Sequence, residues 1–147
     1  MNDEFIILCY RNNDDPKTQG CIKTTNGIEF DFERNYKLKA DYNHHARMTT
    51  FNGQAVLVGI VVPNYNKQYA IKANKFVEIF DSDENKWSLK WPNDTNVAFI
   101  TQFALVPLTN KLLHIGGNDI GSSGIEFGLS SFYLDSMYTK WTKMGMG

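Results

Sequence analysis

The heptapeptides DSDENKW (residues 81–87) and DSMYTKW (residues 135–141) agree at four of seven positions and lie 54 residues apart. A β-rich run precedes each of them, FVEIF in the first case and SSFYL in the second. Asp and Asn favour turns because their side chains accept hydrogen bonds from the nearby backbone. Each heptapeptide therefore predicts a turn that joins one β-strand to the next.

The first heptapeptide has a second interpretation, because Asp81, Asp83 and Asn85 stand at the alternating positions that open a calcium-binding EF-hand loop. Such a loop also needs a Gly at its sixth position and a bidentate Glu at its twelfth. Counted from Asp81, these positions hold Lys86 and Pro92. A calcium site would lack its turn residue and its last ligand, so the turn between strands is favoured.

The repeat extends upstream of the heptapeptides. FNGQAVLVGI (residues 51–60) and LTNKLLHIGG (residues 108–117) share a polar turn and then an almost continuous apolar strand, at an offset of 57. A fainter copy lies at the N-terminus, where FIILCY takes the place of AVLVGI and IEFDFERNYKL takes the place of EIFDSDENKWSL. Tyr36 then takes the aromatic position of Trp87. Three segments in the same order at about 50-residue spacing indicate an internal repeat.

The complete units each predict four strands, and no stretch carries an apolar stripe of helical period and length. The sequence therefore predicts an all-β fold with three units, residues 1–42, 43–92 and 93–147. The predicted strands are ARMTTF, QAVLVGIVV, KFVEIF and KWSLKW in the second unit, and QFALVPL, KLLHIGG, LSSFYL and KWTKM in the third.

Units of this length, with four strands, a glycine that ends the second strand and an aromatic residue that opens the fourth, resemble kelch repeats. The motif residues are Gly116, Gly117 and Trp141 in the third unit, and Gly59 and Trp87 in the second. The resemblance implies a partial kelch-type β-propeller built from four-stranded antiparallel blades. It also implies that both tryptophans are buried between neighbouring blades.

The first unit departs most from the kelch pattern. Cys9 and Tyr10 replace both of its glycines, and Ile60 replaces the second glycine of the middle unit. Met1 aligns with Phe51, so the first unit is expected to lack its innermost strand. Because propellers have 4–8 blades, three units do not close a ring. We expect further blades from a longer chain, from self-association of this chain, or from another protein.

Composition bounds the class of protein. The chain has 147 residues, the length of one domain, and its 15 basic and 16 acidic side chains give a net charge of −1. This balance gives no reason to expect nucleic acid or a membrane surface as a partner. No signal peptide or membrane span is visible. Two cysteines do not form a disulfide framework, which favours a reducing, cytoplasmic setting.

Residues that could carry catalysis are sparse, and we predict no catalytic residue, cofactor or metal site. The chain has no nucleophile elbow, phosphate-binding loop or zinc motif. His44 and His45 are adjacent and would point to opposite faces of a strand. His114 lies inside an apolar strand, which predicts a hydrogen-bonded core histidine. Carboxylates such as Asp31 cluster at turns with no sign of a cleft.

The kelch resemblance implies a protein-binding module that acts as a recognition or scaffold surface, not an enzyme. In that family, ligands meet the loops after the second strands and the loops that lead into the first strands. Arg11 and Arg47 could each fork onto a carboxylate of a protein or peptide. Carried over by position, the binding set is Arg11, Asn12, Asn13, Asn43, His44, His45, Arg47, Asn64, Tyr65, Asn66, Asn96, Thr101, Gln102, Asn118 and Asp119.

Two other hypotheses stay open. The copper oxidases that resemble galactose oxidase use a kelch-type propeller with Tyr, His and Cys around the metal, so the chain could be a fragment of such an enzyme. Cys9 and the histidines form no recognisable ligand pattern of that kind. In the third hypothesis, the chain is purely structural and forms one part of a larger assembly.

Overall fold

The computed structural model describes residues 4–11, 19–32, 36–39, 46–59, 77–93, 103–116, 119–121, 124–126 and 131–144. These residues form β-strands and no helix, which confirms the predicted all-β class. The strands are β1 Ile6–Arg11, β2 Gln19–Thr24, β3 Arg47–Phe51, β4 Gln54–Val58, β5 Val77–Asp81, β6 Lys86–Lys90, β7 Ala104–Pro107, β8 Lys111–Ile115, β9 Asp119–Gly121, β10 Gly124–Glu126, β11 Phe132–Asp135 and β12 Trp141–Lys143.

Two four-stranded antiparallel sheets dominate the fold. The middle sheet has the order β3-β4-β5-β6, and the C-terminal sheet has the order β7-β8-β11-β12. The small hairpin β9–β10 is inserted between β8 and β11, and β1 pairs with β2 in what we call the N-terminal hairpin. The four strands predicted for each of the second and third units are therefore confirmed.

The strand register reproduces the sequence repeat. Phe80 on β5 pairs with Trp87 on β6, and Leu134 on β11 pairs with Trp141 on β12. Both tryptophans are buried, with exposed fractions of 0% and 1%. The prediction that they are buried and equivalent is confirmed.

The turns also form as the sequence predicts. Asp81 Oδ1 accepts hydrogen bonds from the backbone N–H groups of Asp83 and Glu84, at 2.9 and 3.1 Å, so the first heptapeptide is a turn between β5 and β6. Asn52 and Gly53, with φ of 53° and 71°, form the two-residue link between β3 and β4. Positive φ at both positions suits the right-handed twist of paired strands.

Gly116, which follows β8, has a φ of 83°. A Cβ built at this position would meet no atom within 4 Å, so the backbone conformation is what favours glycine there. The predicted glycine bend after the second strand is confirmed in the third unit. Gly117 lies outside the described residues.

The core consists of two apolar layers. The sheet layer lies between the middle and C-terminal sheets, where Val56 and Ile79 share one cluster with Leu134 and Trp141. The hairpin layer lies between the N-terminal hairpin and the middle sheet, and its members include Ile7, Cys21, Tyr36, Leu57, Phe80 and Trp87. The middle sheet is thus covered on both faces. β3 and β7, the first strands of the two sheets, are in contact with each other.

Polar contacts also join the two sheets. Asn52 Nδ2 donates to the backbone carbonyl of Ser136 at 3.3 Å, and the hydroxyl of Tyr138 donates to Gln54 Oε1 at 3.1 Å. The residue Asn93, which follows β6, forms backbone hydrogen bonds with the segment that begins β12. The β3–β4 turn of the middle sheet therefore lies against the β11–β12 turn of the C-terminal sheet.

The N-terminal unit differs from its predicted form. Its third strand was expected within IEFDF, but β1 pairs with β2, and Asp31 contributes only a single bridge to Lys23. The alignment also pairs Ile7 with Leu57. Leu57 faces the preceding unit, whereas Ile7 and Tyr36 face the following sheet. A shift of one residue reverses the faces of a strand, so this part of the alignment is wrong.

A disulfide explains the different pairing. Cys9 and Cys21 stand directly opposite each other on β1 and β2, and their sulfur atoms are bonded. The connection 12–18 that closes this hairpin is also shorter than a connection to residues 28–36 would be, so ordering it costs less entropy. Disulfides persist mainly in oxidising compartments. The pairing therefore weakens the argument for a reducing setting that the cysteine count had supplied.

Candidate functional site

Most residues of the predicted binding set lie outside the described part of the chain. Arg11, Arg47 and Asp119 lie within it, as the last residue of β1 and the first residues of β3 and β9. The members that fall outside are Asn12, Asn13, Asn43, His44, His45, Asn64, Tyr65, Asn66, Asn96, Thr101, Gln102 and Asn118.

The two sheets have unequal edges. In an antiparallel sheet of four consecutive strands, the starts of the first and third strands share an edge with the ends of the second and fourth. We call this the long-loop edge, because the connections 59–76, 91–103 and 116–131 all leave from it. The opposite, short-turn edge carries the links 52–53, 82–85, 108–110 and 136–140.

Arg11 and Arg47 belong to neighbouring strand ends. Cys9 Sγ lies 4.0 Å from Met48 Sδ, which brings β1 against β3. Arg11 follows Cys9 by two residues and Arg47 precedes Met48 by one, so the two arginines stand at neighbouring strand ends of the long-loop edge. Arg47 is exposed, and its Nη1 donates to the carbonyl of Ala46 at 3.0 Å. Much of its guanidinium remains available to a partner.

A cleft of about 650 Å³ lies at the short-turn edge, between the N-terminal hairpin and the β5–β6 turn. This cleft was not expected from the sequence. Its walls combine cationic, anionic, amide, hydroxyl and aromatic side chains, so both hydrogen-bond donors and acceptors face the cleft. The lining residues are Lys23, Thr24, Thr25, Asn26, Glu29, Phe30, Asp31, Phe32, Tyr36 and Asn85.

Lys23 carries the positive charge of the cleft. Its Nζ donates to Asn85 Oδ1 at 2.8 Å and lies 4.6 Å from the centre of the Phe5 ring and 5.7 Å from that of Phe80. Aromatic faces attract cations, and the amide oxygen fixes one N–H direction. The ammonium is therefore held in place by neutral groups, and it keeps donors for a ligand.

The loop opposite Lys23 is ordered by its own side chains. Asn26 Oδ1 accepts hydrogen bonds from the backbone N–H groups of Ile28 and Glu29, each at 2.9 Å, and Thr24 Oγ1 accepts one from Gly27 at 2.9 Å. Such turns fix the backbone locally. This wall of the cleft is thus preorganised.

The remaining wall pairs a carboxylate with exposed rings. The Tyr36 hydroxyl donates to Asp31 Oδ2 at 2.8 Å, and the rings of Phe30 and Phe32 lie 6.2 Å apart. Phe32 is 70% exposed, and a ring in that position could be covered by a bound ligand. Apolar surface with a few fixed polar groups is typical of binding pockets.

Sequence reasoning placed Asp31 at a turn without a cleft, which is wrong because Asp31 lines one. The local signal that could have found it is the alternation of Phe30, Asp31 and Phe32. The contact between Lys23 and Asn85 joins residues 62 positions apart. Without a correct alignment of the first unit, no pattern in the sequence predicts it.

The predicted burial of His114 is confirmed. The residue is buried, and its ring stacks on that of Phe103 at 4.1 Å, with Phe132 and Trp141 edge-on to it. Burial lowers the pKa of His114 to about 3. The imidazole is therefore neutral at pH 7 and lies within the sheet layer.

Within the described ranges, no group of three or more His, Cys, Asp and Glu side chains could hold a metal ion. The Cys9 sulfur is bonded to Cys21 and is not a thiolate. The same part of the chain contains no helix that is long and apolar enough to cross a membrane.

No protein-family model matches this sequence, and no curated protein is significantly similar to it. The features that indicate a function are therefore the repeat, the two sheets and the surfaces at their edges.

Proposed function

We propose that the chain is a module of kelch-type propeller blades that binds another protein or peptide through its long-loop edge. The stack of antiparallel sheets, the repeated tryptophans and the contact between first strands support the propeller. A blade buries both faces only by stacking on its neighbours, and the middle sheet is covered on both faces in this way.

The observation that carries the binding proposal is the unequal length of the connections at the two edges. Every long connection of the two four-stranded sheets leaves the same edge, while the opposite edge has tight turns. Loops on a rigid scaffold are where binding residues concentrate. A partner that spans this edge would meet loops from both sheets at once.

The positive charges at the long-loop edge indicate which peptides bind there. Arg11 ends β1 and Arg47 begins β3 at this edge, and two arginines at neighbouring strand ends suit an acidic peptide. Bidentate pairs between Arg and carboxylate are stronger than neutral hydrogen bonds and add geometric specificity. We therefore expect peptides rich in Asp and Glu to bind better than neutral or basic ones.

The test uses an array of fluorescent peptides of graded acidity, followed by titration of the best binder. Arg11→Ala together with Arg47→Ala should weaken that binding more than tenfold without lowering the melting temperature. The matched control is Lys86→Ala with Lys140→Ala, which removes the same charge at the short-turn edge and should leave affinity unchanged. Equal affinity in the arginine variant, or no peptide bound at all, would remove the proposal.

The cellular compartment in which the protein resides can be tested directly. The cytoplasmic setting remains a prediction from sequence, and the Cys9–Cys21 pair argues against it because cytosolic thiols are kept reduced. Protein trapped with an alkylating reagent straight from cells would carry two labels in a reducing compartment and none in an oxidising one.

A further inference from the structure

The N-terminal hairpin exposes an apolar stripe on the side away from the middle sheet. Ile6, Leu8 and Tyr10 alternate along β1 and are 55%, 47% and 50% exposed. Ile7, between the first two, is buried in the hairpin layer. A strand covered on one face only shows this alternation. The outer face of the hairpin is therefore built like a core face but is open to solvent.

The C-terminal sheet exposes a second apolar face at the other end of the stack. Leu113 and Ile115 on β8, with Val106 and Tyr133 on the flanking strands, lie on the side opposite Leu112, which is fully buried. All four are partly exposed to solvent, and Ile115 is the most exposed of them at 40%.

The sequence repeat indicates what the outer face of the C-terminal sheet packs against. Leu113 and Ile115 follow Val56 and Val58 by 57 residues, and Tyr133 follows Ile79 by 54. Val56, Val58 and Ile79 are buried against the C-terminal sheet. The exposed face therefore repeats, position for position, a face that stacks on another sheet within this chain.

We propose that the outer face of the C-terminal sheet stacks on the outer face of the N-terminal hairpin of a second copy of this chain. The inference rests on the propeller-type stacking of the proposed function, and it names the partner as the chain itself. The proposed contact would continue the stack of sheets from one molecule to the next, in the same direction as within one molecule.

Charge complementarity favours this occupant. Glu4 is exposed and precedes the stripe on β1 by two residues, while Lys111 begins β8 on the same face as Leu113. Both lie at the short-turn edge of their sheets. If the two copies stack with their short-turn edges on the same side, these opposite charges lie at the same edge of the interface. Lys111 Nζ already lies 4.4 Å from the Tyr133 ring centre, within the interface.

The contact is heterologous, since each copy uses one face to bind the other face of its partner. A heterologous contact closes a ring when the rotation per step allows it, and otherwise extends into a filament. The described part of each chain supplies the hairpin and two four-stranded sheets to the stack. Counting each hairpin as one sheet, two copies would therefore supply six, which is within the range of 4–8 blades that propellers use. We expect a closed dimer.

Sedimentation of the full chain at micromolar concentration tests the stoichiometry. The expected mass is twice the 16.8 kDa of one chain. Glu4→Lys or Lys111→Glu alone should weaken the dimer at least tenfold, and the two changes together should restore it. Lys90→Glu, an exposed change away from both faces, is the control and should leave the dimer intact. A monomer at all concentrations, or a dimer insensitive to the single reversals, would overturn the proposal.

Cross-linking tests the direction of the contact. Chains with Ile6→Cys, mixed with chains carrying Leu113→Cys, should form a disulfide-linked dimer, while neither variant should do so alone. A covalent dimer of either variant alone would indicate a symmetric contact and overturn the head-to-tail arrangement. Peptide binding at the long-loop edge, measured separately on the Lys111→Glu variant, tests the proposed function independently of this interface.

Discussion

The two layers of the core are built differently. The sheet layer packs two four-stranded sheets through apolar side chains such as Val56, Leu134 and Trp141. The hairpin layer packs only two strands onto the middle sheet and includes the buried carboxylate of Glu78, which accepts a hydrogen bond from the Lys39 backbone at 3.0 Å. A two-stranded hairpin is at best marginally stable alone. A covalent cross-link and polar contacts supplement apolar packing where fewer strands are available.

The largest expected effect tests whether the two layers are equally tight. Trp87→Ala in the hairpin layer and Trp141→Ala in the sheet layer should each lower the free energy of unfolding by about 3–5 kcal/mol. Urea denaturation measures both. Trp91→Ala is the matched control, because Trp91 is 67% exposed and its loss should cost under about 0.5 kcal/mol. A small cost at Trp87 alone would show that the hairpin layer is loosely packed.

Removing the disulfide should affect the hairpin more than the sheets. Cys9→Ala with Cys21→Ala should lower the free energy of unfolding by about 3 kcal/mol, since the bond closes a short loop. Hydrogen exchange should show amides of β1 and β2 losing protection while those of β8 and β11 keep theirs. The reduced natural chain is the control and should behave like the variant. Equal loss in both regions would mean that the two layers unfold as one unit.

The acid dependence of stability should arise in the sheet layer. The pKa of His114 is lowered by burial to about 3, from 6.5. Below pH 6.5 the unfolded chain binds a proton at His114, whereas the folded chain binds that proton only near pH 3. Stability is thus full above pH 6.5 and falls as the pH drops, at up to roughly 1.4 kcal/mol per pH unit.

His114→Leu places at this position the residue that the repeat has at Leu57, and it should reduce this slope. Denaturation between pH 7 and 5 measures it, with His44 and His45 unchanged in both proteins. Identical slopes in the two proteins would show that His114 is protonated while folded.

The strands of the two four-stranded sheets could be predicted because local signals define them. Asp81 and Asp135 each begin a turn, the buried strand before each turn is strongly apolar, and the tryptophan follows at a fixed distance. The N-terminal hairpin does not repeat this motif, because its connection 12–18 reads NNDDPKT and no aromatic residue follows at the same distance. Its pairing depends on the contact between Cys9 and Cys21, and local patterns do not show which strands that contact joins.

The two candidate sites, the long-loop edge and the cleft, also differ in how far the sequence predicts them. The long-loop edge follows from topology once the strand order is known, so the sequence could predict Arg47 at a strand start. The cleft needs Lys23 from β2 and Asn85 from the β5–β6 turn, and β2 itself was not predicted. The error in one strand of the first unit therefore hid the cleft as well.

The smallest effect concerns the side-chain hydrogen bond that joins the two four-stranded sheets. Tyr138→Phe removes the hydrogen bond to Gln54 and should lower the free energy of unfolding by about 1 kcal/mol. Burial raises the pKa of Tyr138 from 10.0 to about 12. The unfolded chain therefore loses this proton first, so stability is full below pH 10 and declines as the pH rises towards 12. The Phe variant should lack that decline, whereas Tyr133→Phe, on the outer face, should retain it. Denaturation from pH 9 to 11.5 distinguishes them, and parallel curves for all three proteins would show that the Tyr138 hydroxyl is solvated and the joint is open.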